Sequence, residues 1–211
     1  MKFLLLLLIF LIFIVIFAGC ETGYVKKNGT WVWVTIDENY GKRNHAIVGV
    51  DQGTFKVLKN KNYASDHMNV FFRGKKVNYA DPKTFECLTF DDYSYAKDAG
   101  HVYFRDAIIP GAEPSSFTTM QFPYSKDRKD VYCGNIPLRL SPEDVNTFKV
   151  TNEDKMMAGS ISTMKLEHFL KYNPDYSWLA EMKDTMEMVI TGESGTAVSQ
   201  SKKFKGYKEV K

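Results

Sequence analysis

The residues with the widest chemical repertoire here are three cysteines, four histidines and a set of acids that return at fixed intervals. His45, His67, His101 and His168 show no metal-ligand spacing, and none keeps a matching offset to a cysteine. Neither a zinc cluster nor a thiol–imidazole pair follows from them, and each reads as a surface residue. Asp66, Asp98 and Asp127 recur in turn-forming contexts. Calcium takes about six to eight oxygens, more than one carboxylate without an Asp-x-Asp neighbour supplies. An Asx turn, in which the carboxylate takes local backbone N–H groups, is the better reading. The pair Asp91-Asp92 reads as a solvated loop. Cys87 and Cys133 stand where a repeat otherwise places strand-packing residues. They read as buried apolar thiols, and a disulfide between them stays open if their Cα atoms approach within about 7 Å in an oxidising compartment. The sequence contains no Gly-rich phosphate loop, no Gly-x-Ser-x-Gly elbow and no His-Glu-x-x-His. No enzyme, cofactor or metal is therefore expected.

The elements that position these residues are internal repeats. Asp51-Gln-Gly-Thr-Phe55, Asp81-Pro-Lys-Thr-Phe85, Glu113-Pro-Ser-Ser-Phe117 and Asp144-Val-Asn-Thr-Phe148 share one pattern: an acid, two variable residues, Thr or Ser, then Phe. The phenylalanines return every 30 to 32 residues. A second pattern precedes three of them. Tyr63-Ala-Ser-Asp66 leads to Val70-Phe-Phe72, Tyr95-Ala-Lys-Asp98 to Val102-Tyr-Phe104, and Tyr124-Ser-Lys-Asp127 to Val131-Tyr-Cys133. Tyr24 and Trp31-Val-Trp33 keep the same seven-residue gap without the acid.

One unit is readable in physical terms. Val-aromatic-aromatic is a β run, and Arg73-Gly74, Arg105-Asp106 and Gly134-Asn135 are hairpin turn chemistry. The acid, followed by Pro in two copies, suits the cap of one helical or 3₁₀ turn, and the Thr or Ser hydroxyl helps satisfy local backbone groups. The Phe is thrown onto the core. Each unit thus supplies two or three short strands that bury their aromatics only by stacking on a neighbour. The fold expected is mainly β: about four tandem antiparallel β-hairpin repeats over residues 20–152. A closed propeller is disfavoured because four strands per blade would need longer units. Adjacent aromatics such as Tyr103-Phe104 point to opposite sheet faces. At most about half could serve as exposed platforms for a glycan.

Met1-Lys2 followed by an apolar run to Ala18 describes a secretory signal over residues 1–19. Its ending, Phe17-Ala-Gly-Cys20, resembles a bacterial lipobox, with Phe17 where Leu is usual. The resemblance implies acylation of Cys20 and anchoring by buried methylenes, each contributing about 0.8 kcal/mol. An uncleaved signal-anchor helix and simple cleavage are the alternatives, the run being near the lower limit of about 17 residues for a span. All three send the chain across the membrane. Glu21 rather than Asp after Cys20 resembles lipoproteins sorted to an outer membrane, where the host has two.

The repeat itself resembles the DKNYY family of bacterial envelope proteins. Tyr95-Ala-Lys-Asp98, Val102-Tyr-Phe104 and Pro110-Gly-Ala-Glu-Pro114 lie close to its pattern, as do Asn78-Tyr-Ala-Asp-Pro82 and Thr84-Phe85. The resemblance covers Tyr24 to about Asn152. It implies a secreted or lipid-anchored repeat protein with no catalytic residue to carry over. The fourth unit departs from it, with two extra residues between Pro142 and Phe148 that should distort its hairpin.

From Glu153 the repeat pattern stops. Ser162 before Met164, Leu166, Phe169 and Leu170 reads as a helix start. After Pro174, the spacing of Trp178, Leu179, Met182 and Met186 predicts helix up to Ile190. Residues 153–196 are expected as a helical cap, its Met-rich stripe lying against the core or offering a partner face. Residues 197–211 are expected as a loosely ordered basic tail. Net charge is only +3, with lysines and arginines scattered among acids, so nucleic acid is not an expected partner. The expected partners are the membrane, through the N-terminal lipid or apolar helix, and an envelope protein; the alternative is a carbohydrate- or cell-wall-binding module using exposed aromatics. The expected location is the cell envelope, outside the cytoplasm.

Overall fold

The computed structural model describes residues 22–90, 93–152, 161–182, 187–192 and 194–210. The signal segment with Cys20 and Glu21, the pair Asp91-Asp92, and Met186 lie outside the described residues. No described helix is long and apolar enough to cross a membrane.

The chain opens with a three-stranded antiparallel sheet, β1 (Gly23–Lys27), β2 (Thr30–Asp37) and β3 (Gly41–Ala46). Asn28-Gly29, both at positive φ, make the two-residue turn whose twist matches the flanking strands. Three four-stranded antiparallel meanders follow. The first is β4 (Lys56–Val57), β5 (Tyr63–Ser65), β6 (Val70–Phe72) and β7 (Lys75–Lys76). The second is β8 (Glu86–Cys87), β9 (Tyr95–Lys97), β10 (Val102–Phe104) and β11 (Ala107–Ile108). The third is β12 (Thr118–Thr119), β13 (Tyr124–Lys126), β14 (Val131–Cys133) and β15 (Ile136–Pro137). The tandem antiparallel β repeat expected from the columns is thus the architecture. Each sheet holds four strands rather than two or three, because strands of two or three residues fit into a thirty-residue period. The register repeats as well: Tyr63 faces Phe72, Tyr95 faces Phe104, Tyr124 faces Cys133, and Tyr24 faces Trp33.

The two extra residues of the fourth unit lengthen its turn into a short helix, α1 (Pro142–Thr147), and do not distort the β14–β15 hairpin. Ser141 caps this helix by accepting the Asp144 N–H. The helix delivers Phe148 and β16 (Lys149–Asn152). Then come β17 (Ile161–Lys165), α2 (Leu166–Tyr172), a 3₁₀ stretch Pro174–Met182 and β18 (Met188–Gly192). The chain ends in β19 (Thr196–Val198), β20 (Lys203–Lys205) and β21 (Lys208–Val210).

The last three strands correct the reading of a loose tail. They pair with β16 in the order β16-β19-β20-β21, a fourth four-stranded meander. Val150 faces Ala197 and Ala197 faces Phe204, as Val57 faces Ala64 and Ala64 faces Phe71. The turn bond from Ser199 N–H to Lys202 O matches those from Asp66 to Asn69, Asp98 to His101 and Asp127 to Asp130. The bond from Gly206 N–H to Gly195 O matches those from Arg73 to Asn62, Arg105 to Ser94 and Gly134 to Pro123. The repeat is therefore interrupted at Asn152 and resumes at Thr196. Phe204 and Ala197 are buried in it.

The interrupting segment is not wholly helical. Ser162 lies within β17 and Ile190 within β18, and these strands pair over their whole length, Thr163 facing Ile190. Pairing across an intervening helix overrides local 3.6-residue periodicity, and β-branched Ile161, Thr163, Val189, Ile190 and Thr191 suit strands. Asn135 clips β18 to the third meander. Its N–H donates to Ile190 O, its side-chain amide donates to Met188 O, and its Oδ1 accepts the Ile190 N–H. Leu166, Phe169, Leu179 and Val189 share a core with Tyr124, Ile136, Phe148 and Phe204. Ile190 enters the neighbouring core beside Phe104, Phe117 and Tyr132. The insert thus lies across the third and fourth meanders and braces both.

Candidate functional site

The repeated acids sit at the joints between successive meanders. Asp66 accepts N–H bonds from Met68 and Asn69 on one oxygen and from Asp51 on the other, at 2.6–2.9 Å. Asp98 does the same with Gly100, His101 and Asp81, and also accepts the Tyr103 hydroxyl at 2.7 Å. Asp127 takes Lys129, Asp130, Glu113 and the Tyr132 hydroxyl. Burial pushes the Asp66 and Asp98 carboxyls up, but their donors outweigh it and hold both below the usual carboxylate range. Each carboxylate binds its own turn and the acid turn just before it. Its lone pairs face protein donors, and no group of three or more metal-ligating side chains occurs among the described residues.

The acid-x-x-Thr-Phe motif completes the joint. Thr54 donates to Asp51, Thr84 to Asp81 and Ser116 to Glu113, at 2.7–2.9 Å. The same hydroxyl oxygens accept N–H bonds from His67, Ala99 and Arg128, and Thr147 accepts that of Gln200. Thr54, His67 and Asp51 look superficially like a nucleophile, base and acid, with His67 Nδ1 2.9 Å from Asp51. The Thr54 proton, however, is given to the carboxylate. The position of His67 is filled in the other units by Ala99, Arg128 and Gln200, so the cluster is a turn clamp. In the split fourth unit Ser199 replaces the joint acid, and the roles reverse. Asp144 receives the N–H and hydroxyl of Ser201 and the Ser141 hydroxyl. Hydrogen bonds from Ser199 first, then Ser201, hold its carboxyl down at about 2.

The tyrosines tie unit to unit. Tyr63 donates to Ser94 O and Arg105 O, at 2.8 and 2.7 Å, in the next meander. Tyr124 donates to Gly195 O and Gly206 O, at 3.0 and 2.9 Å, two carbonyls that the insert separates in sequence from their own unit. Tyr95 reaches Pro123 O, and Tyr24 reaches Asn62 O while accepting the Gly74 N–H. Each therefore bonds the residue just before the next unit's tyrosine position. Thr196 fills that position in the last meander.

The four phenylalanines occupy equivalent settings. Phe55, Phe85, Phe117 and Phe148 lie 5.7–6.1 Å from Phe71, Tyr103, Tyr132 and Phe204, with interplanar angles of 43–47°. Each also meets the tyrosine of the preceding unit, at 5.2–6.0 Å. Phe85 is half-buried and the other three are buried. Cys133 takes the place of Trp33, Phe72 and Phe104 and is buried against Thr191; Cys87 is half-buried at a sheet edge, and the two are not bonded to each other.

The paired aromatics of the repeat face inward. Tyr63, Tyr103, Phe104, Tyr124 and Tyr132 are buried, whereas the exposed rings among the described residues, Tyr40, Tyr79, Phe90 and Tyr172, belong to no single column. Two surface grooves stand out. One, of about 850 Å³, runs between the insert and the last repeats, lined by Arg139, Tyr172, Asn173, Trp178, Lys202 and Glu209 among others. The other, of about 430 Å³, is lined by Trp33, Phe72, Arg73, Lys75, Arg105 and Asp106, with Thr35, His45, Ala46, Gly74 and Thr163 around them. Sequence reasoning missed Asn135 as a clip and Ser199 and Ser201 as the exchanged joint. The signal for the latter was the match of Thr196-Ala-Val-Ser199 and Phe204 to the Tyr-Ala-x-Asp and aromatic columns.

The sequence profile of the DKNYY family matches the chain over residues 10–107, 63–174 and 95–205. The third match spans the insert and reaches β20. No curated protein and no solved structure matches.

Proposed function

Because the chain belongs to the DKNYY family, we propose that it is an envelope lipoprotein whose repeats form a non-catalytic scaffold for contact with another envelope protein. Cys20 is acylated, the lipid holds the protein at the membrane, and residues from Glu21 onward lie outside the cytoplasm, at the outer membrane where the host has two. The observation that carries the non-catalytic reading is the use of the repeat's reactive side chains. The joint acids, the hydroxyls and the tyrosines are spent on bonds within the fold. What varies from unit to unit, and is left for a partner, is the outer surface.

Mass spectrometry of the mature N-terminus tests the anchor. Acylated Cys20 is expected, and an unmodified Met1 contradicts it. Cross-linking of the full-length protein in intact envelopes tests the partner: a discrete cross-linked protein is expected, and only cell-wall polymer recovered with the chain would replace this reading by the carbohydrate one. That second reading keeps one support, the Tyr172 and Trp178 rings in the larger groove.

A further inference from the structure

The first sheet has one strand fewer than the units that follow it. Each uninterrupted meander opens with a strand that directly follows the acid-x-x-Thr-Phe turn and pairs antiparallel with the tyrosine strand: β4 with β5, β8 with β9, and β12 with β13. The split meander does the same with β16 and β19. No acid-x-x-Thr-Phe motif precedes Tyr24 in the sequence. The tyrosine strand β1 is partnered only by β2 among the described residues, so its outer edge is open.

The backbone groups on that edge are the ones the other units use. In an antiparallel pair, successive residues direct their N–H and C=O to alternate sides. Lys27 and Thr30 flank the two-residue turn as a bonded pair, so Val25 also faces β2, while Tyr24 and Lys26 face outward. Tyr63 O, Tyr95 O and Tyr124 O, at the position of Tyr24 O, accept the N–H of Leu58, Leu88 and Met120 at 2.9–3.1 Å. Tyr24 O has no such donor among the described residues. Strand β1 is also five residues long, whereas the outer strands of the three uninterrupted meanders have two. Very short outer strands guard a sheet against added pairing, and a longer one invites it. The opposite edge, β3, corresponds to β7, β11 and β15, which no further strand joins.

The side chains around the open edge define what would complete it. Val25 and Val32 occupy the positions of Ala64 and Phe71, on the face that in that meander holds Phe55 and Val57. Both valines are half-buried. Lys27 stands where Asp66, Asp98 and Asp127 receive the N–H of the acid ahead of the first strand. Lys26 stands where Lys97 faces Glu86, ammonium and carboxylate 4.0 Å apart. Two lysines beside an apolar face suit an extended segment in which acids flank an aromatic and a β-branched residue.

We propose that the open edge of β1 takes one extended strand from a partner protein, antiparallel to β1. An acid lies opposite Lys26, a β-branched residue opposite Val25, and an aromatic ring packs over Val25 and Val32. Main-chain hydrogen bonds hold such a strand, and its alternate side chains select it. The inference rests on the protein-contact reading above and names its surface. A second intact copy fits less well, because its own four strands of this kind are already paired within their meanders.

The test uses full-length protein in detergent micelles and a fluorescein-labelled peptide of residues 81–88 carrying Cys87→Val. Saturable binding by anisotropy is expected. Methylating the Leu88 nitrogen, the donor to Tyr24 O, should weaken it about tenfold or more. Glu86→Lys in the peptide should weaken it about threefold or more, and the protein variant Lys26→Glu, at an exposed side chain, should prefer that peptide instead. The Lys26 N–H should exchange fast in the free protein and slowly with peptide bound. Lys26 N–H protected in the free protein, no saturable binding, equal affinity for the methylated peptide, or an unchanged preference in Lys26→Glu would each overturn the proposal. So would a concentration-dependent dimer that protects this N–H, by putting a second copy in the partner's place. A photo-cross-linking residue at position 26 separates the edge from the function. An envelope protein captured from other positions but never from this one would sink the edge and leave protein contact standing; no captured protein from any position would sink that function.

Discussion

Replacing Tyr63 by Phe removes a single hydroxyl and leaves every ring contact in place. That hydroxyl is buried and lies 2.8 Å from Ser94 O and 2.7 Å from Arg105 O, so one proton serves two carbonyls of the next meander. Ser94 O keeps the Arg105 N–H as a second donor. The loss is therefore that of one buried hydrogen bond and part of the satisfaction of Arg105 O, about 1–2 kcal/mol. For a chain of this length that is a fall of roughly 2–8 °C in melting temperature. Tyr124→Phe removes the corresponding bonds to Gly195 O and Gly206 O and should cost a similar amount. The two share no partner, so the double variant should lose the sum within about 0.5 kcal/mol. Tyr40→Phe, at an exposed ring, is the control and should be neutral. Thermal unfolding followed by circular dichroism gives the answer. If Tyr63→Phe and Tyr124→Phe melt with the control, the tyrosine hydroxyls do not hold the units together and ring packing alone must do so.

Other perturbations test other parts of the account. Truncation after Gly195 removes β19–β21 and uncovers the core around Phe148, so cooperative urea unfolding should be lost; Phe204→Ala alone should cost about 3–5 kcal/mol. Gly134→Ala places a Cβ 2.0 Å from Ile190 O at a φ of +60°, and should cost well over the ~1–2 kcal/mol of left-handed backbone alone, whereas Gly29→Ala meets nothing within 4 Å and should cost no more than that; chemical denaturation separates them. The depressed carboxyls of Asp66, Asp98 and Asp144 give stability that is fully present above the unfolded value of about 3.9 and is lost as pH falls through their folded values. Asp130, whose carboxyl burial pushes up, works the other way and softens the loss. Urea midpoints should therefore fall from about pH 5 downward, and a flat profile to pH 2 contradicts the joint.

What the sequence could reveal depended on whether a residue's role is set locally. The Phe and Tyr columns and the columns of Cys87 and Cys133 are visible because a meander of fixed length returns each to the same place. The tyrosine hydroxyl's target is not visible, since it lies in the next unit's backbone. The fourth meander was hidden for a different reason. Its first strand, Lys149–Asn152, and its second, Thr196–Val198, are parted by a long insert, and Thr196 and Ser199 replace the marker Tyr and Asp. Composition alone then made the basic end look like a solvated tail. In the insert, Trp178, Leu179 and Met182 kept helical spacing and do lie in a 3₁₀ stretch, but Ile190 is held in a strand by β17 and Asn135. The small groove was illegible because Trp33, Phe72 and Arg105 come from three successive units.

Amide hydrogen exchange on the full-length protein addresses the split repeat most directly. The N–H groups of Ser199 and Gly206 should be protected together with Asp66, Asp98 and Asp127 and with Arg73, Arg105 and Gly134, their counterparts in the uninterrupted meanders. Exchange at Ser199 and Gly206 as fast as in an unstructured peptide, with the other six protected, would mean that residues 196–210 do not complete a fourth meander.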